Sequence, residues 1–558
     1  MTPAGPSPPT GDVSRRSPEG GTARGTASLP GESAVDARAG LGEAIASVLL
    51  IWGLFLALSL IRWPIPGINE PHYLTKGRHF VDPQWIRGDF FLDSANPHAA
   101  ASWLLGELAV RMPFETAALI GRILGFGVLA LGWTVMLRQA LATPCERRLA
   151  TGLFLFLHLV GNWSGEWLLR GVEGKVFAWG FLFLATGLWP TRREWLAGMS
   201  LGAALTFHPV IGAWGAIAAG LSVAWEAVET RDLAGLFRRA VVPIMFFGLF
   251  AAPGLLGALP TLRLGTPDER WQADHIQVTQ RLAHHLDPAT FAWASHREYL
   301  LLLGAIWLLG RRGTSQDPAS GQGTADRSFL ERMAWSSVLC AVGGIVVSIW
   351  PRTVDHFSLY VLRLKLLKLY PFRLADIFVP LLLAVRVVEF PRFAAFTQSR
   401  PRAFLIVASL VVASFIWPGD EGPARRMSAA DYDHWRNLLA WIREQTPRGA
   451  VVQAMNEDFA VKWHTERAEY VAYKDCPQDA PGILEWHRRL TTLDQGWRTP
   501  AMADLRVTAA ELEELHRLTG IDYLLCSRFG PIDAPPVHVS GPFRVYATSP
   551  HLNPASKE

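Results

Sequence analysis

The sequence has few charged residues. Asp, Glu, Lys and Arg make up 18% of its 558 residues, whereas apolar residues make up 50%. A typical soluble domain carries about 25% charged residues, so this deficit argues against a soluble enzyme and points to lipid as part of the surroundings. The net charge is only +4. Lys and Arg occur in short clusters between apolar runs, which argues against nucleic-acid binding.

Cysteine is scarce as well. The chain has 4 cysteines, and no two of them form a Cys-x-x-Cys motif, so that common metal or redox pattern is absent. Cys476 and Cys526 both lie in the C-terminal tail. They could form a disulfide if the tail is extracytoplasmic, because such bonds persist in oxidising compartments.

The apolar runs predict a multi-span membrane protein. Residues 1–40 have too little apolar surface to offset chain entropy, so we predict a disordered cytoplasmic tail. The run Leu41–Ile61 is long enough to cross a bilayer and is expected to act as an uncleaved anchor. Ten further runs raise the predicted number of crossings to about eleven. These runs are Ala117–Leu137, Leu149–Gly165, Val176–Trp189, Trp195–Phe207, Val210–Trp225, Ala240–Leu259, Glu298–Leu309, Met333–Trp350, Leu374–Val388 and Ala403–Trp417. We count Ala99–Met112 as not crossing.

The arginine clusters set the predicted orientation. With a cytoplasmic N-terminus, the clusters of five separate loops all lie on the cytoplasmic side, as the positive-inside rule requires. They are Arg138/Arg147/Arg148, Arg192/Arg193, Arg231/Arg238/Arg239, Arg311/Arg312 and Arg392/Arg400/Arg402. We therefore predict a transmembrane domain over residues 41–418 in a cell inner membrane, with an outer loop at residues 63–97. Residues 419–558 are then extracytoplasmic.

The C-terminal tail has the pattern of a small α/β domain. The segment Asp433–Glu444 is amphipathic, and Gly449–Met455 resembles a strand. Thr508 and Glu511 have the spacing of a helix capping box, the helix should end at Gly520, and Ile521–Cys526 is a second strand candidate. Such alternation favours a sheet layered with helices.

The first outer loop holds the first candidate site. Glu70 follows the first span directly, and a carboxylate at the membrane surface could accept a proton from an acceptor hydroxyl or hold a metal. His72 and Asp89 of the same loop are candidate substrate ligands. The alternative is that Glu70 pairs with Lys76 or Arg78 and only shapes the loop.

A second candidate site is the stretch NWSGEWLLRGVEGK at residues 162–175. It places Glu166, Arg170, Glu173 and Lys175 at or near membrane depth, where charge is costly unless it is paired or faces water. Glu173 and Lys175 are candidate substrate ligands, and mutual ion pairing is the alternative. His284, His285 and Asp287 could contribute to a divalent metal site, although adjacent histidines point apart.

A cationic stretch follows later in the chain. Arg363, Lys365, Lys368 and Arg373 precede a span on the predicted outer side, against the positive-inside trend. Guanidinium and ammonium groups at the lipid boundary are suited to bind a phosphate whose lipid tail lies in the membrane. Contact with lipid headgroups is the alternative.

The layout resembles the GT-C class of membrane glycosyltransferases. Members of this class have a cytoplasmic N-terminus, about eleven to thirteen spans, an acidic first outer loop and often an extracytoplasmic C-terminal domain. The phrases NEPHYLTKGRHFVDPQWIRGDFF, LLRGVEGKVFAW, RLAHHLDPATF and LLKLYPFRLADIFVPL also resemble uncharacterised planctomycete-type multi-pass membrane proteins. The GT-C resemblance places Glu70 at the position of the catalytic acid. Asn69 stands where many members have a second acid, which puts a paired metal site in doubt.

The resemblance implies transfer of a sugar from a polyprenyl-phosphate donor on the extracytoplasmic side, to an acceptor that the sequence does not identify. In this hypothesis Glu70 is the base, the cationic stretch holds the phosphate and the tail binds the acceptor. One alternative is a transporter or lipid flippase with Glu166, Arg170, Glu173 and Lys175 along its pathway, although no internal repeat is visible. Another is a non-catalytic membrane anchor whose tail binds a partner.

Overall fold

The computed structural model describes residues 30–312, 324–353, 356–418, 427–455, 459–527 and 529–552. Most of the tail predicted to be disordered lies outside these residues. Its last part does not, because a helix begins at Pro30. The chain divides into the units Met1–Ala46 and Ser47–Glu558. All contacts described below lie within the second unit.

The part before residue 418 is helical. Its helices are Pro30–Arg62, Glu70–Val81, Ala99–Arg111, Phe114–Ala140, Pro144–Val160, Gly174–Leu188, Glu194–Phe207, Pro209–Thr230, Leu233–Arg263, Pro267–His275, Ala283–Leu286, Trp293–Arg312, Thr324–Ser348, Phe357–Leu367, Arg373–Glu389, Pro391–Thr397 and Arg400–Ile416. A short π-helical segment, Ile276–Arg281, connects two of them.

Five of the described helices are long and apolar enough to cross a membrane, or six if a bent pair counts as one span. They are Gly40–Arg62, Phe114–Ala140, Pro209–Thr230, Leu233–Arg263 and Phe329–Ser348, and the bent pair is Pro391–Thr397 with Arg400–Ile416. These helices identify a membrane protein. The larger number of about eleven crossings, which includes shorter helices, stays a prediction.

Glycines let some of the shorter helices pack closely. A Cβ atom at Gly132 would lie 2.0 Å from the carbonyl oxygen of Gly180, so helices Phe114–Ala140 and Gly174–Leu188 touch backbone to backbone. Such small-residue contacts are typical of helix packing in membranes, where there is little hydrophobic drive for association.

The segment Ala99–Met112, which is predicted not to cross the membrane, forms the helix Ala99–Arg111 of 13 residues. At 1.5 Å per residue it is about 20 Å long, which is short of the ~30 Å hydrocarbon core. It packs on helix Glu70–Val81, where a Cβ at Gly106 would lie 2.1 Å from the carbonyl oxygen of Gly77. That it does not cross the membrane stays a prediction, because helices of similar length such as Glu194–Phe207 are among the predicted crossings.

The part after residue 427 holds a five-stranded mixed sheet in the order β2-β1-β3-β5-β4. The strands are β1 Val451–Met455, β2 Ala468–Glu469, β3 Tyr523–Cys526, β4 His538–Ser540 and β5 Phe543–Ala547. Strand β1 is parallel to β2 and β3, whereas β5 pairs antiparallel with β3 and β4. The helices of this part are Ala429–Gln445, Val461–Thr465, Ala480–Thr491, Thr499–Ala501 and Ala509–Thr519, and the π-helical segment Thr492–Arg498 adjoins two of them.

Helices cover the sheet on both faces. Helix Ala429–Gln445 buries Trp435 and Leu438 against Val452 and Val545. Helices Ala480–Thr491 and Ala509–Thr519 contribute to a separate apolar cluster, with Ile483, Trp486, Leu512, Leu515 and Leu524 among its members. Each helix has its apolar residues on one face, and this face packs against the sheet.

Two local predictions for the tail are confirmed. Thr508 and Glu511 form a capping box, and Gly520 ends the helix with a φ of 72°, a left-handed conformation that glycine adopts without strain. The proposed pair Cys476 and Cys526 is not bonded, because both are buried free thiols.

Candidate functional site

A cavity of about 1240 Å³ lies at one end of the helical part. Its lining comes from segments that the charge pattern places outside, together with the adjoining helix ends. They fall within residues 58–102, 155–175, 205–213, 255–262, 277–295, 368–373 and 473–478. The segments predicted to be cytoplasmic contribute no residue to this lining within the described chain.

The cavity combines a polar part and an aliphatic part. Its charged lining residues are seven cations and two acids, namely Lys76, Arg170, Lys175, Arg281, Lys368, Arg373 and Lys474 with Glu166 and Glu173. The excess of positive charge suits an anionic ligand. The aliphatic part includes Leu205, Val210, Ala213, Leu255, Ala258 and Leu262, from three neighbouring helices.

Four of these charged side chains form what we call the cavity cluster, Glu166, Glu173, Lys175 and Arg373. The Lys175 ammonium lies 3.4 Å from Glu166 and 3.5 Å from Glu173, and Arg373 lies 3.3 Å from Glu166. Charge-assisted hydrogen bonds are usually 2.7–2.9 Å long, so these pairs are loose. Burial raises the pKa of Glu166, but the charges of Lys175 and Arg373 outweigh this effect and lower the pKa overall.

A rigid loop holds Glu166 in place. The Asp376 carboxylate accepts hydrogen bonds from the Ser164 hydroxyl at 2.7 Å and from the backbone N–H groups of Trp163, Ser164 and Glu166 at 2.9 to 3.2 Å. The indole of Trp179 donates to the carboxylate of Glu166 at 3.1 Å. The cavity cluster is therefore built on a fixed frame.

Histidines line the cavity in their neutral form. Burial lowers the pKa of His98 and of His285 to about 4, and the pKa of His208 is lowered for the same reason. The rings of His98 and His208 lie 4.7 Å apart. Near neutral pH they add no positive charge, and they offer donors and acceptors to a polar ligand.

Some polar atoms of the lining have no partner. The Asn96 amide nitrogen, the His98 Nδ1 atom and the Gln277 amide oxygen are buried without a hydrogen bond in the described part of the chain. A buried polar group without a partner costs about 1–3 kcal/mol, so such groups call for a bound ligand or water.

The structure places Glu70 in a closed ion pair and not in the cavity, which disfavours the role of base expected for it. Its carboxylate and the guanidinium of Arg122 are both 0% exposed and form two contacts, at 2.6 and 2.8 Å. The same carboxylate accepts from the backbone N–H groups of Gly67 at 2.5 Å and Val172 at 2.9 Å. Glu70 does not line the cavity. A base must reach the proton that it removes, and this carboxylate has neither a free lone pair nor access.

Three further predicted site residues also lie away from the cavity. The Arg363 guanidinium is buried and bound to Asp287 at 2.7 Å, and Lys365 is exposed on the same helix. Asp89 accepts from the backbone N–H groups of Phe91, Leu92 and Glu469 at 2.9 to 3.0 Å. Asp89 therefore ties the outer loop to the C-terminal part.

The other five predicted site residues line the cavity. They are His72, Glu173, Lys175, Lys368 and Arg373. Lys368 lies there while paired with Asp274 at 2.6 Å. The structure thus brings part of the first loop, the stretch 162–175 and the end of the cationic stretch to one place.

Several residues of the site were missed by the sequence analysis. Tyr473 and Lys474 of the C-terminal part line the cavity, and Asp475 lies behind His72. No motif in the sequence marks these positions. Arg122 did carry a signal, because a lone charge inside the apolar run 117–137 requires a buried partner.

No group of three or more His, Cys, Asp or Glu side chains within the described ranges could hold a metal ion. Asp287, the acid of the proposed metal set, is paired with Arg352 and Arg363. A dependence on divalent metal stays a prediction from the sequence.

A second cavity of about 490 Å³ lies beside the first, in the C-terminal part. Arg281 and Tyr473 line both cavities. The second cavity also has the end of strand β1, Trp486, His487 and Gln495 in its wall. Ligand sites often lie at the carboxyl ends of parallel strands.

Comparison with known proteins gives one family match. Residues 433–493 match the model of a domain of unknown function, DUF6798. No curated protein matches the chain.

Solved structures with a similar arrangement exist at low similarity. They include ArnT from Cupriavidus metallidurans in the apo state, with 11% identity, a TM-score of 0.40 and coverage of 93% of this chain and 99% of that one. The apo oligosaccharyltransferase of Archaeoglobus fulgidus has 11% identity, a TM-score of 0.42 and coverage of 86% and 69%. AglB of the same organism, in complex with an inhibitory peptide and a dolichol-phosphate, has 12% identity, a TM-score of 0.38 and coverage of 87% and 69%. These values are low, so the function proposed below rests on the side chains of this chain.

Proposed function

We propose that the protein is a membrane glycosyltransferase that takes a sugar from a polyprenyl-phosphate donor bound in the large cavity. This proposal rests on one observation: the same cavity has a cationic part and an aliphatic part. A lipid phosphate has the same two parts. The phosphate would lie at Lys175 and Arg373, and the first units of the lipid chain would lie against Leu205, Leu255 and Leu262.

The cavity cluster suits a phosphate because its own ion pairs are weak. An incoming phosphate offers oxygens to Lys175 and Arg373 at shorter distances than the 3.3–3.5 Å that now separate these cations from Glu166 and Glu173. Arg binds phosphate in a bidentate manner, whereas Lys acts as a point charge. The fixed loop around Ser164 means that little rearrangement is needed, which lowers the cost of binding.

Transport is less well supported by the same geometry. A transport pathway must reach both sides of the bilayer, and the lining residues of the large cavity come from the predicted outer end. This favours transfer on one side of the membrane. We propose that this side is the extracytoplasmic side of the cell inner membrane, and that the C-terminal part lies on the same side.

The acceptor is proposed to bind in the second cavity. The wall of this cavity offers the aromatic face of Trp486 and polar groups of His487 and Gln495, which are suited to a hydroxylated molecule. Since Arg281 and Tyr473 border both cavities, the reacting end of an acceptor would pass between them toward the donor.

The test of this function is the lipid that accompanies the protein. We expect a polyprenyl phosphate to co-purify with the full chain after mild detergent extraction, and mass spectrometry would identify it. The Lys175→Gln variant should retain less of this lipid. Recovery of glycerophospholipids alone, in equal amounts from both proteins, would contradict the proposal.

A labelling experiment tests the assumed orientation. Single cysteines placed at Arg87 and at Arg544, which are outside the lining of both cavities, should both react with a membrane-impermeant maleimide applied from outside. If the two cysteines react from opposite sides, the outer loop and the C-terminal part lie on different sides of the membrane. The proposed site could then not form.

A further inference from the structure

His72 and Asp475 form a partly buried pair at the edge of the large cavity. His72 lies on helix Glu70–Val81, and Asp475 lies in the C-terminal part more than 400 residues later. The Nδ1 atom of His72 and the Oδ1 atom of Asp475 are 2.8 Å apart. The His72 ring also contacts Tyr73 and Phe91, at 4.9 and 4.6 Å between ring centroids. The pair is therefore fixed in position.

Asp475 is held as an anion by Lys462. The Lys462 ammonium lies 2.6 Å from the second carboxylate oxygen of Asp475 and 2.9 Å from Glu469, while Asp89 lies 3.8 Å away. Burial raises the pKa of Asp475, but the charge of Lys462 and the hydrogen bond with His72 outweigh it, so the pKa is lowered well below its usual range. An ionised carboxylate can only accept hydrogen bonds.

The ionised carboxylate of Asp475 fixes the tautomer of His72. Because Asp475 is an acceptor, the proton of the neutral imidazole lies on Nδ1, and the lone pair lies on Nε2. Burial lowers the pKa of His72, so the ring is neutral near pH 7. His72 lines the cavity, and within the described residues the hydrogen bond of its ring is made by Nδ1. The Nε2 lone pair is thus available to a hydroxyl group in the cavity.

From this geometry we infer that His72 is the general base of the transfer and that Asp475 is its positioning residue. The inference rests on the proposed glycosyltransferase function and replaces Glu70 as the base. It also gives the C-terminal part a role in the reaction, since that part supplies both Asp475 and the Lys462 that holds it.

The reaction transfers the donor sugar to an acceptor hydroxyl. The hydroxyl oxygen forms a bond to the anomeric carbon of the donor sugar, and its proton passes to Nε2 of His72. The bond between the anomeric carbon and the phosphate oxygen breaks, and its electron pair leaves with the lipid phosphate. Lys175 and Arg373 stabilise the charge that develops on this phosphate. The His72 proton then returns to solvent.

The groups that face His72 set its pH dependence. Asp475 raises the pKa of His72, whereas Arg281 and Lys474 lower it, and burial lowers it most. Since the base must be neutral, activity should fall on the acid side as His72 becomes protonated. Loss of the Asp475 charge in Asp475→Asn should lower the pKa of His72 further, so the acid limb of kcat/KM should move to lower pH while the maximal rate falls.

His79 provides a matched control on the same helix. Its ring lies 2.9 Å from Asp93 and 2.7 Å from the carbonyl oxygen of Trp85, so it too is a histidine beside an aspartate. His79 does not line the cavity. A purely structural role of a His–Asp pair should therefore affect His79→Gln and His72→Gln alike.

The experiment uses the full chain in detergent with a panel of polyprenyl phosphates that each carry one radiolabelled sugar. It measures both donor retained on the protein and sugar released to water or added acceptor. We expect His72→Gln to bind donor within about twofold of the wild type and to lose ~10²- to 10⁴-fold in kcat, the usual contribution of a general base. His79→Gln should keep the wild-type kcat.

The other outcomes distinguish a failure of the inference about His72 from a failure of the proposed glycosyltransferase function. If the wild type releases sugar and His72→Gln releases it at a similar rate, the base is elsewhere and the proposed function stands. If Asp475→Asn lowers the rate without moving the acid limb, Asp475 does not act through His72. If the wild type releases none of the sugars, the proposed function fails, and the role of His72 fails with it.

Discussion

Two groups of charged side chains contrast with each other. The pair Glu70 and Arg122 is closed, with contacts of 2.6 and 2.8 Å and with backbone donors on the remaining lone pairs of the carboxylate. The cavity cluster is open, with contacts of 3.3 to 3.5 Å beside a large cavity. Each group contains equal numbers of acidic and cationic side chains, so composition alone does not distinguish the two groups.

The difference separates a structural role from a binding role. Short contacts that use every lone pair leave nothing for a ligand, and they compensate the cost of burying the two charges. Long contacts beside a cavity leave the cations under-coordinated, so a phosphate can improve on them. Substitutions in the closed pair should therefore affect mainly stability, whereas substitutions in the cavity cluster should affect mainly binding.

The largest effect is expected in the closed pair. Glu70→Gln removes one charge and leaves Arg122 buried without its counter-ion, which should cost about 3–5 kcal/mol of stability. Thermal unfolding of the purified protein in detergent would measure this loss. Any loss of transfer in this variant should then accompany the loss of stability.

A double variant separates charge from shape in the closed pair. Glu70→Gln combined with Arg122→Met removes both charges and should recover part of the stability. Recovery would be incomplete because Arg122 also donates to the carbonyl oxygen of Trp63 at 2.7 Å. A Glu70→Gln protein that unfolds at the wild-type temperature but loses transfer would restore Glu70 as a catalytic group.

The next largest effect concerns the open cluster. Arg373→Gln should weaken binding of a polyprenyl phosphate by ~10- to 100-fold, since a hydrogen bond to a charged group contributes about 1.5–3 kcal/mol. Its stability should change less than that of Glu70→Gln, because Glu166 keeps Lys175 and the Trp179 indole as partners. A binding assay with a tritiated polyprenyl phosphate would measure the change.

Lys365→Gln is the matched control for this prediction. Lys365 belongs to the same cationic stretch but is exposed and outside the cavity lining. Its substitution should leave donor binding unchanged. An equal loss of donor affinity in Lys365→Gln and Arg373→Gln would show that the cationic stretch binds lipid headgroups in general. The large cavity would then not be a specific donor site.

The sequence could predict elements that depend on local pattern. The amphipathic helix around Trp435, the capping box of Thr508 and Glu511, and the end of that helix at Gly520 all follow from spacing over a few residues. The clustering of unusual charges in the stretch 162–175 also indicated the site, because charge at membrane depth is costly wherever the chain goes.

The sequence could not predict contacts that depend on packing between distant segments. From the sequence alone Glu70 is a candidate base, because nothing there indicates that its partner is Arg122, 52 residues away on another helix. His72 was expected to bind substrate, but its hydrogen bond to Asp475 spans 403 residues. The orientation of neighbouring helices decides which cations of one stretch face the cavity, and this separates Arg373 from Arg363.

The smallest effect expected here has the opposite sign. Glu166→Gln removes an acid from the open cluster and frees Lys175 and Arg373 for phosphate, so the affinity for a polyprenyl phosphate should rise by about tenfold or less. Its stability should change little, because the glutamine oxygen can still accept from the Trp179 indole. The same tritiated lipid assay at low and high salt would measure this gain, which should shrink as salt screens the charges. A loss of affinity in Glu166→Gln would mean that this acid holds the two cations in their binding positions, and the cavity cluster would then resemble the closed pair in kind.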